Sequence, residues 1–212
     1  MGDVSWSYVL GLYIPLVVSL SIHEWAHAMT ARLLGDPTAE EHGRLTLNPL
    51  PHLDLIGTVV LPLVILLSRS PFLFGWAKPV PVDPTRFRKG VKIFPGMLLV
   101  SLAGPFSNLI LAFLFALGLR LCDRFSWGND ALIQGLFMGL VLNVLLAVFN
   151  LMPVPPLDGH RLLPPAVQRK LMPFSSVLFL VFLVAIYRFQ GLLGAPVEFF
   201  SRGILHLVGL VV

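Results

Sequence analysis

Cysteine and charge are what this sequence has least of. One cysteine, Cys122, stands among 212 residues, so neither a disulfide framework nor a cysteine-based zinc site can be built from it. Asp, Glu, Lys and Arg make up 12% of the chain, against roughly 25% in a soluble domain. That scarcity excludes a disordered chain, a coiled coil and an ordinary soluble globule. Met1 to Ser7 holds no Lys or Arg, so the basic start of a removable signal peptide is missing. No basic run carries interleaved aromatics, which argues against nucleic acid as a partner. There is no repeat, no low-complexity tract and no Gly-x-Ser-x-Gly elbow of the serine type.

What is abundant is apolar surface. Hydrophobic residues make up 56% of the chain, its mean hydropathy is +0.84, and apolar runs of roughly 20 residues recur. These features predict an all-α polytopic membrane protein of about five to six transmembrane helices. One membrane-embedded domain is expected over 1–212, with its core at about 4–168. The first helix is predicted from Val4 to Leu34, stopped by Gly35-Asp36-Pro37. Further spans are predicted over Ile93–Leu121, Ala131–Asn150 and Phe174–Leu193, and Pro196–Val212 is too broken to assign as a full span. Arg44-Leu45-Thr46-Leu47 alternates and predicts a short β-like hairpin. Trp76 to Val82 reads as extended chain, because Pro79 and Pro81 forbid helix.

The run Leu53–Ser68 is a special case. Its 16 residues give a straight helix of only about 24 Å, against a hydrocarbon core of ~30 Å. Gly57 and Pro62 weaken it further. It is expected to enter the membrane and return, or to lie against the bundle, without crossing. Positive charge collects in Arg69–Lys92 and His160–Lys170, so both loops are expected on the cytoplasmic side.

One helix carries His23-Glu24-Trp25-Ala26-His27. His23 and His27 stand at i and i+4, one turn apart on one face, where two imidazoles can bind one zinc ion. Glu24 beside them is the expected general base acting on water. In an apolar helix such ionisable groups are costly and usually functional. A catalytic zinc usually has three protein ligands. Asp158 is the best candidate for the third, because Pro153, Pro155 and Pro156 open the backbone just before it. An N-cap role is the alternative for Asp158, and His52, His42 and His160 are weaker candidates for the third ligand.

Taken together, these segments resemble the site-2 protease family of intramembrane zinc metalloproteases. The matching residues are His23-Glu24-Trp25-Ala26-His27, Gly43-Arg44-Leu45-Thr46-Leu47-Asn48-Pro49 with His52, Ala103-Gly104-Pro105 with Asn108, and Phe149-Asn150-Leu151-Met152-Pro153-Val154-Pro155-Pro156-Leu157-Asp158-Gly159. The resemblance implies one Zn2+ per chain on His23, His27 and Asp158, with Glu24 as base. It implies that Asn150 lies near the metal, where its amide steadies the scissile carbonyl or its oxyanion. The expected substrates are single-span membrane proteins, and the expected place is a bacterial inner membrane with the active site toward the cytoplasm. With no PDZ or CBS domain, the chain resembles the minimal branch of the family. Edges near Arg44–Leu47 or Trp76–Val82 are expected to hold an unwound substrate by strand addition. The competing reading is a non-catalytic membrane zinc protein, a transporter or sensor, which would have no use for Glu24. Asn108 and Asn143 read either as interhelical glue or as part of the site, and Gly104-Pro105 reads as a close helix contact or kink.

Overall fold

Helix α1 runs from Trp6 to Leu34 and is stopped by a local turn. Gly35 sits at φ 110°, in the left-handed region that favours glycine, and its N–H donates to Arg32 O. Asp36 follows and is fully buried. This computed structural model describes residues 6–68, 75–189 and 191–210.

Asp36 ties the start of the segment that follows to its end at Asp83. Its carboxylate accepts from Thr38 N at 2.9 Å, which starts the short helix α2, Thr38–Glu41. Its other oxygen accepts from Asp83 N at 2.7 Å. Arg88 N donates to Leu34 O, and Arg86 pairs with Glu41 at 2.6 Å. The two loops that flank Leu53–Ser68 are thus bonded to each other.

The apolar run between those loops forms a π-helical turn, Leu55–Val60, that leads into α3, Leu61–Leu67. Asp54 caps it by accepting from Ile56 N and Gly57 N. The chain then comes back alongside its own entry. Trp76 N donates to Gly57 O, Lys78 N donates to His52 O, and Thr58 Oγ1 donates to Trp76 O at 2.7 Å. The chain at His52–Thr58 and the chain at Trp76–Lys78 therefore lie side by side.

The β-like hairpin expected at Arg44–Leu47 does not form, and no strand occurs among the described residues. Burial does not follow the alternation. Arg44 is buried so that its Nη2 can donate to the carbonyls of Lys78 and Pro79, at 2.5 and 3.3 Å. Leu47 is left exposed, and Thr46 O accepts from His52 Nε2 at 2.8 Å. The N–H groups of Trp76, Lys78 and Val80 are all engaged, and Pro79 and Pro81 have none.

The bundle itself is built on α4, Ile93–Phe125, and α5, Asp130–Asn150. Asn129 caps α5 by accepting from Leu132 N at 2.9 Å. Small residues let the pair approach closely: Ala112 and Ala116 of α4 pack with Leu140 and Val144 of α5. α1 lies against both helices. After α5 come α6, Pro165–Leu171, α7, Ser175–Arg188, and α8, Gly191–Leu207. α8 adds Leu193 and Leu205 to the core, and Phe149 of α5 stacks near Phe179 and Phe182 of α7.

Three helical stretches among the described residues are long and apolar enough to cross a membrane: Ile93–Phe125, Asp130–Asn150 and Pro165–Arg188. The expected count of five to six is therefore not reached on length and composition. The third stretch starts earlier and stops sooner than the predicted Phe174–Leu193, because the helix breaks at Phe189. α8 has 17 residues, about 26 Å, short of a ~30 Å core, and it carries the ion pair Arg202–Glu198.

Candidate metal centre

His23 and His27 project from one face of α1, with ring centroids 4.6 Å apart. Their Nε2 atoms are 3.0 Å apart. Asp158 begins a tight turn, Asp158–Leu162, beyond the end of α5. Its side chain caps nothing there; instead Oδ2 lies 3.1 Å from His23 Nε2 and 3.2 Å from His27 Nε2. Among the described residues, this trio is the cluster able to hold a metal ion.

The hydrogen bonds on the far side of each ring decide what the trio wants. His27 Nδ1 is 2.7 Å from Val100 O, and a carbonyl can only accept. His23 Nδ1 is 2.7 Å from Asn108 Oδ1, likewise an acceptor. In its neutral form each imidazole therefore carries its proton on Nδ1 and turns the Nε2 lone pair inward. Three acceptors then face one point at 3.0–3.2 Å from one another. Such a set is repulsive without a cation at its centre. Tetrahedral bonds to zinc hold neighbouring ligand atoms roughly 3.3 Å apart, so the donor set fits zinc in both spacing and kind.

Helix α4 closes one side of the trio at Gly104. A β-carbon there would run into His27 Nε2 and lie 2.6 Å from His23 Nε2. The glycine is what permits the backbone of α4 to approach the imidazoles.

Glu24 lies beside the trio in a cavity of about 630 Å³ that is also lined by His23, His27, Asn150, Asp158 and Arg161. Its Oε2 accepts from Val80 N at 2.9 Å, which ties the carboxylate to the returning chain. Asn150, at the end of α5, donates from Nδ2 to Leu146 O at 3.0 Å. One amide hydrogen of Asn150 is left for another acceptor.

The other histidines stand apart from the trio. His42 is exposed and bonds Thr38 O at 2.8 Å. His52 is buried and holds Thr46 O. His160 lines the cavity but spends Nδ1 on Leu157 O at 2.6 Å.

Two proteins that bear the provisional name zinc metalloprotease are similar to this chain over most of its length. YwhC of Bacillus subtilis is 44% identical over 187 residues, which is 82% of this chain and 78% of YwhC. Rip2 of Mycolicibacterium smegmatis is 37% identical over 190 residues, 84% of this chain and 68% of Rip2. The chain belongs to this zinc metalloprotease family. No family model matches it, and no solved structure matches at a significant level.

For a member of that family, the sequence already pointed to His23, Glu24, His27, Asn150 and Asp158, and all five line one cavity. Three contributors were not legible. Val100 acts through its carbonyl, which no side-chain pattern announces. Val80 acts through its N–H on Glu24. Gly104 read as a helix contact, but nothing in the sequence said that the contact is with the two imidazoles.

Proposed function

We propose that the chain is a zinc-dependent intramembrane endopeptidase of the site-2 protease type. The carrying observation is the meeting of His23 and His27 with Asp158, 135 positions away from His23, in one cavity with Glu24. His23, His27 and Asp158 hold one zinc ion per chain. Its substrates are single-span membrane proteins, cut in or near their transmembrane segment.

Depth supports this reading. α1 is not one of the three stretches that qualify on length and composition, but its 29 residues, about 44 Å at 1.5 Å per residue, exceed the ~30 Å hydrocarbon core in length. His23 and His27 lie roughly 10 to 17 Å from its Leu34 end. Arg88 is bonded to that end through Leu34 O, with Arg86, Lys89 and Lys92 near it in sequence. The excess of positive charge there supports a cytoplasmic orientation in a bacterial inner membrane.

A peptide bond inside a transmembrane helix is shielded from water and bonded within its own helix. Bound zinc supplies Lewis acidity, which makes water nucleophilic near neutral pH and polarises a carbonyl. Glu24 takes the proton of the attacking water; with Oε2 on Val80 N–H, Oε1 is the oxygen left to do so. Glu24 then hands that proton to the departing amine nitrogen as the C–N bond breaks. The remaining N–H of Asn150 donates to the carbonyl oxygen as negative charge grows on it. Val100 and Gly104 hold the imidazoles in place from α4.

The rival reading is zinc transport or sensing with the same ligands. Glu24→Gln separates the two. A transporter keeps its flux, measured as zinc entry into proteoliposomes. The protease keeps its zinc, by metal analysis, and loses cleavage of single-span substrates. Zinc flux in the wild-type protein with no cleavage of any substrate in a panel would overturn the proposal.

A further inference from the structure

Asn108 and Asn143 are fully buried, in the middle of α4 and α5. A lone asparagine in an apolar helix is explained by any bond across the bundle. This pair does something more specific. Asn143 Nδ2 donates to Gly139 O at 2.8 Å, one turn back on its own helix. Gly139 O can only accept, so that contact fixes which end of the Asn143 amide is nitrogen. Asn143 Oδ1 must then point the other way, and it accepts from Asn108 Nδ2 at 3.0 Å. The second hydrogen of Asn108 Nδ2 reaches Ser19 O on α1 at 3.5 Å. Asn108 Oδ1 is thereby the atom presented to His23, and it takes the Nδ1 proton at 2.7 Å.

The order of donors and acceptors is set at one end by a backbone carbonyl and has no alternative that leaves every group satisfied. Flipping Asn143 would bring Oδ1 against Gly139 O. Flipping Asn108 would bring Nδ2 against the Nδ1–H of His23 and Oδ1 against Asn143 Oδ1. Each flip sets like against like in a dry interior, where an unmade hydrogen bond is costly.

We infer that Asn108 and Asn143 are positioning residues of the metal centre. They hold His23 in the tautomer that leaves its Nε2 lone pair facing His27 and Asp158. His27 obtains the same result from the Val100 carbonyl, which no mutation of a side chain can remove. His23 lacks such a backbone acceptor and depends on a side chain of α4, itself oriented by α5. The relay ties the chemistry of one ligand to the docking of three helices. The inference rests on the trio being a metal site, but the tautomer of His23 is a property of the metal-free chain and can be read on its own.

The test uses the full-length protein in detergent, with zinc affinity measured by chelator competition and the histidine tautomers read by 15N NMR of the metal-free form at a pH where both imidazoles are neutral. The variants are Asn108→Leu, Asn108→Asp and Asn143→Leu. Loss of the outer partner of a ligand histidine typically costs 10- to 100-fold in metal affinity. Asn108→Leu is expected to weaken zinc binding by roughly that factor and to lose the pure Nδ1–H signal of His23. Asn108→Asp keeps an acceptor for His23, so it is expected to hold the tautomer and to bind zinc more tightly than Asn108→Leu. Asn143→Leu is expected to move both readouts in the same direction as Asn108→Leu, by less. Wild-type affinity and an unchanged His23 tautomer in Asn108→Leu, with only the melting temperature lowered, would reduce the pair to interhelical glue. If Asn108→Leu does not fold, Asn143→Leu carries the same test. A wild-type protein that shows the Nδ1–H tautomer but binds no zinc would overturn the metal reading and leave the relay standing.

Discussion

His23 Nε2 and Asp158 Oδ2 stand 3.1 Å apart across 135 positions of the chain. That contact joins the middle of the first long helix to the loop that ends the α5 segment, and the metal proposal hangs on it. His23→Ala, His27→Ala and Asp158→Ala are each expected to lose most of the bound zinc, because a three-ligand site loses much of its affinity with one ligand gone. Metal analysis of the purified variants checks this. A full zinc complement in Asp158→Ala would remove that residue from the ligand set.

Gly104 offers a sharper test, since it has no side chain to contribute. Gly104→Ala puts a methyl group where the two imidazoles stand. Overpacking of this kind typically costs about 1–3 kcal/mol, and here the strain falls on the ligands. Helix content by circular dichroism is expected to stay near wild type while zinc binding weakens by at least about tenfold, the factor that 1.4 kcal/mol represents. Unchanged zinc affinity would mean that α4 does not press on the site.

Asn150 is expected to behave differently from the ligands. Asn150→Ala should leave zinc occupancy nearly intact and lower turnover by roughly 10²-fold, as removal of an oxyanion donor does. Zinc loss in this variant would assign Asn150 to the support of Asp158 instead. An unchanged rate would take it out of the mechanism.

The bond between Asp36 and Asp83 N predicts a topology. In a Cys122→Ser background, single Thr38→Cys and Thr85→Cys substitutions are expected to label with an impermeant thiol reagent from the same, cytoplasmic, side. Labelling from opposite sides would mean that Leu53–Ser68 crosses the membrane.

At the same clasp, Arg86 holds the carboxyl of Glu41 below its ordinary value of 4.5 by a hydrogen-bonded pair at 2.6 Å. A depressed carboxyl pKa adds stability above the unfolded value, and that contribution is lost as pH falls through the folded value. The Glu41 titration, followed by carboxyl NMR, is expected to have its midpoint below 4.5 and to move back up in Arg86→Met. A midpoint indifferent to that substitution would remove the pair from the clasp.

The sequence carried the site further than it carried the fold. The i, i+4 spacing of His23 and His27 is a local fact about any helix, and the prolines before Asp158 announce irregular backbone without needing a third dimension. The hairpin at Arg44–Leu47 was misread because alternation of polar and apolar residues is not alternation of burial: here Arg44 is buried to bind carbonyls while Leu47 is exposed. The break between α7 and α8 at Phe189 was passed over because apolar residues, Phe189, Leu192 and Leu193, continue beyond Arg188 and carry the apolar run across it. The Asn143–Asn108–His23 relay needs three helices in register, which no single stretch of sequence encodes.

The central claim is hydrolysis of a peptide bond inside a membrane, and the position of the cut tests it most directly. Purified protein and a single-span substrate are placed in proteoliposomes in water enriched with 18O, and the fragments are read by mass spectrometry. The account predicts a new carboxyl terminus bearing 18O within or beside the transmembrane segment, absent with Glu24→Gln although that variant retains zinc. Cleavage confined to water-exposed loops, or equal cleavage by Glu24→Gln, would contradict it.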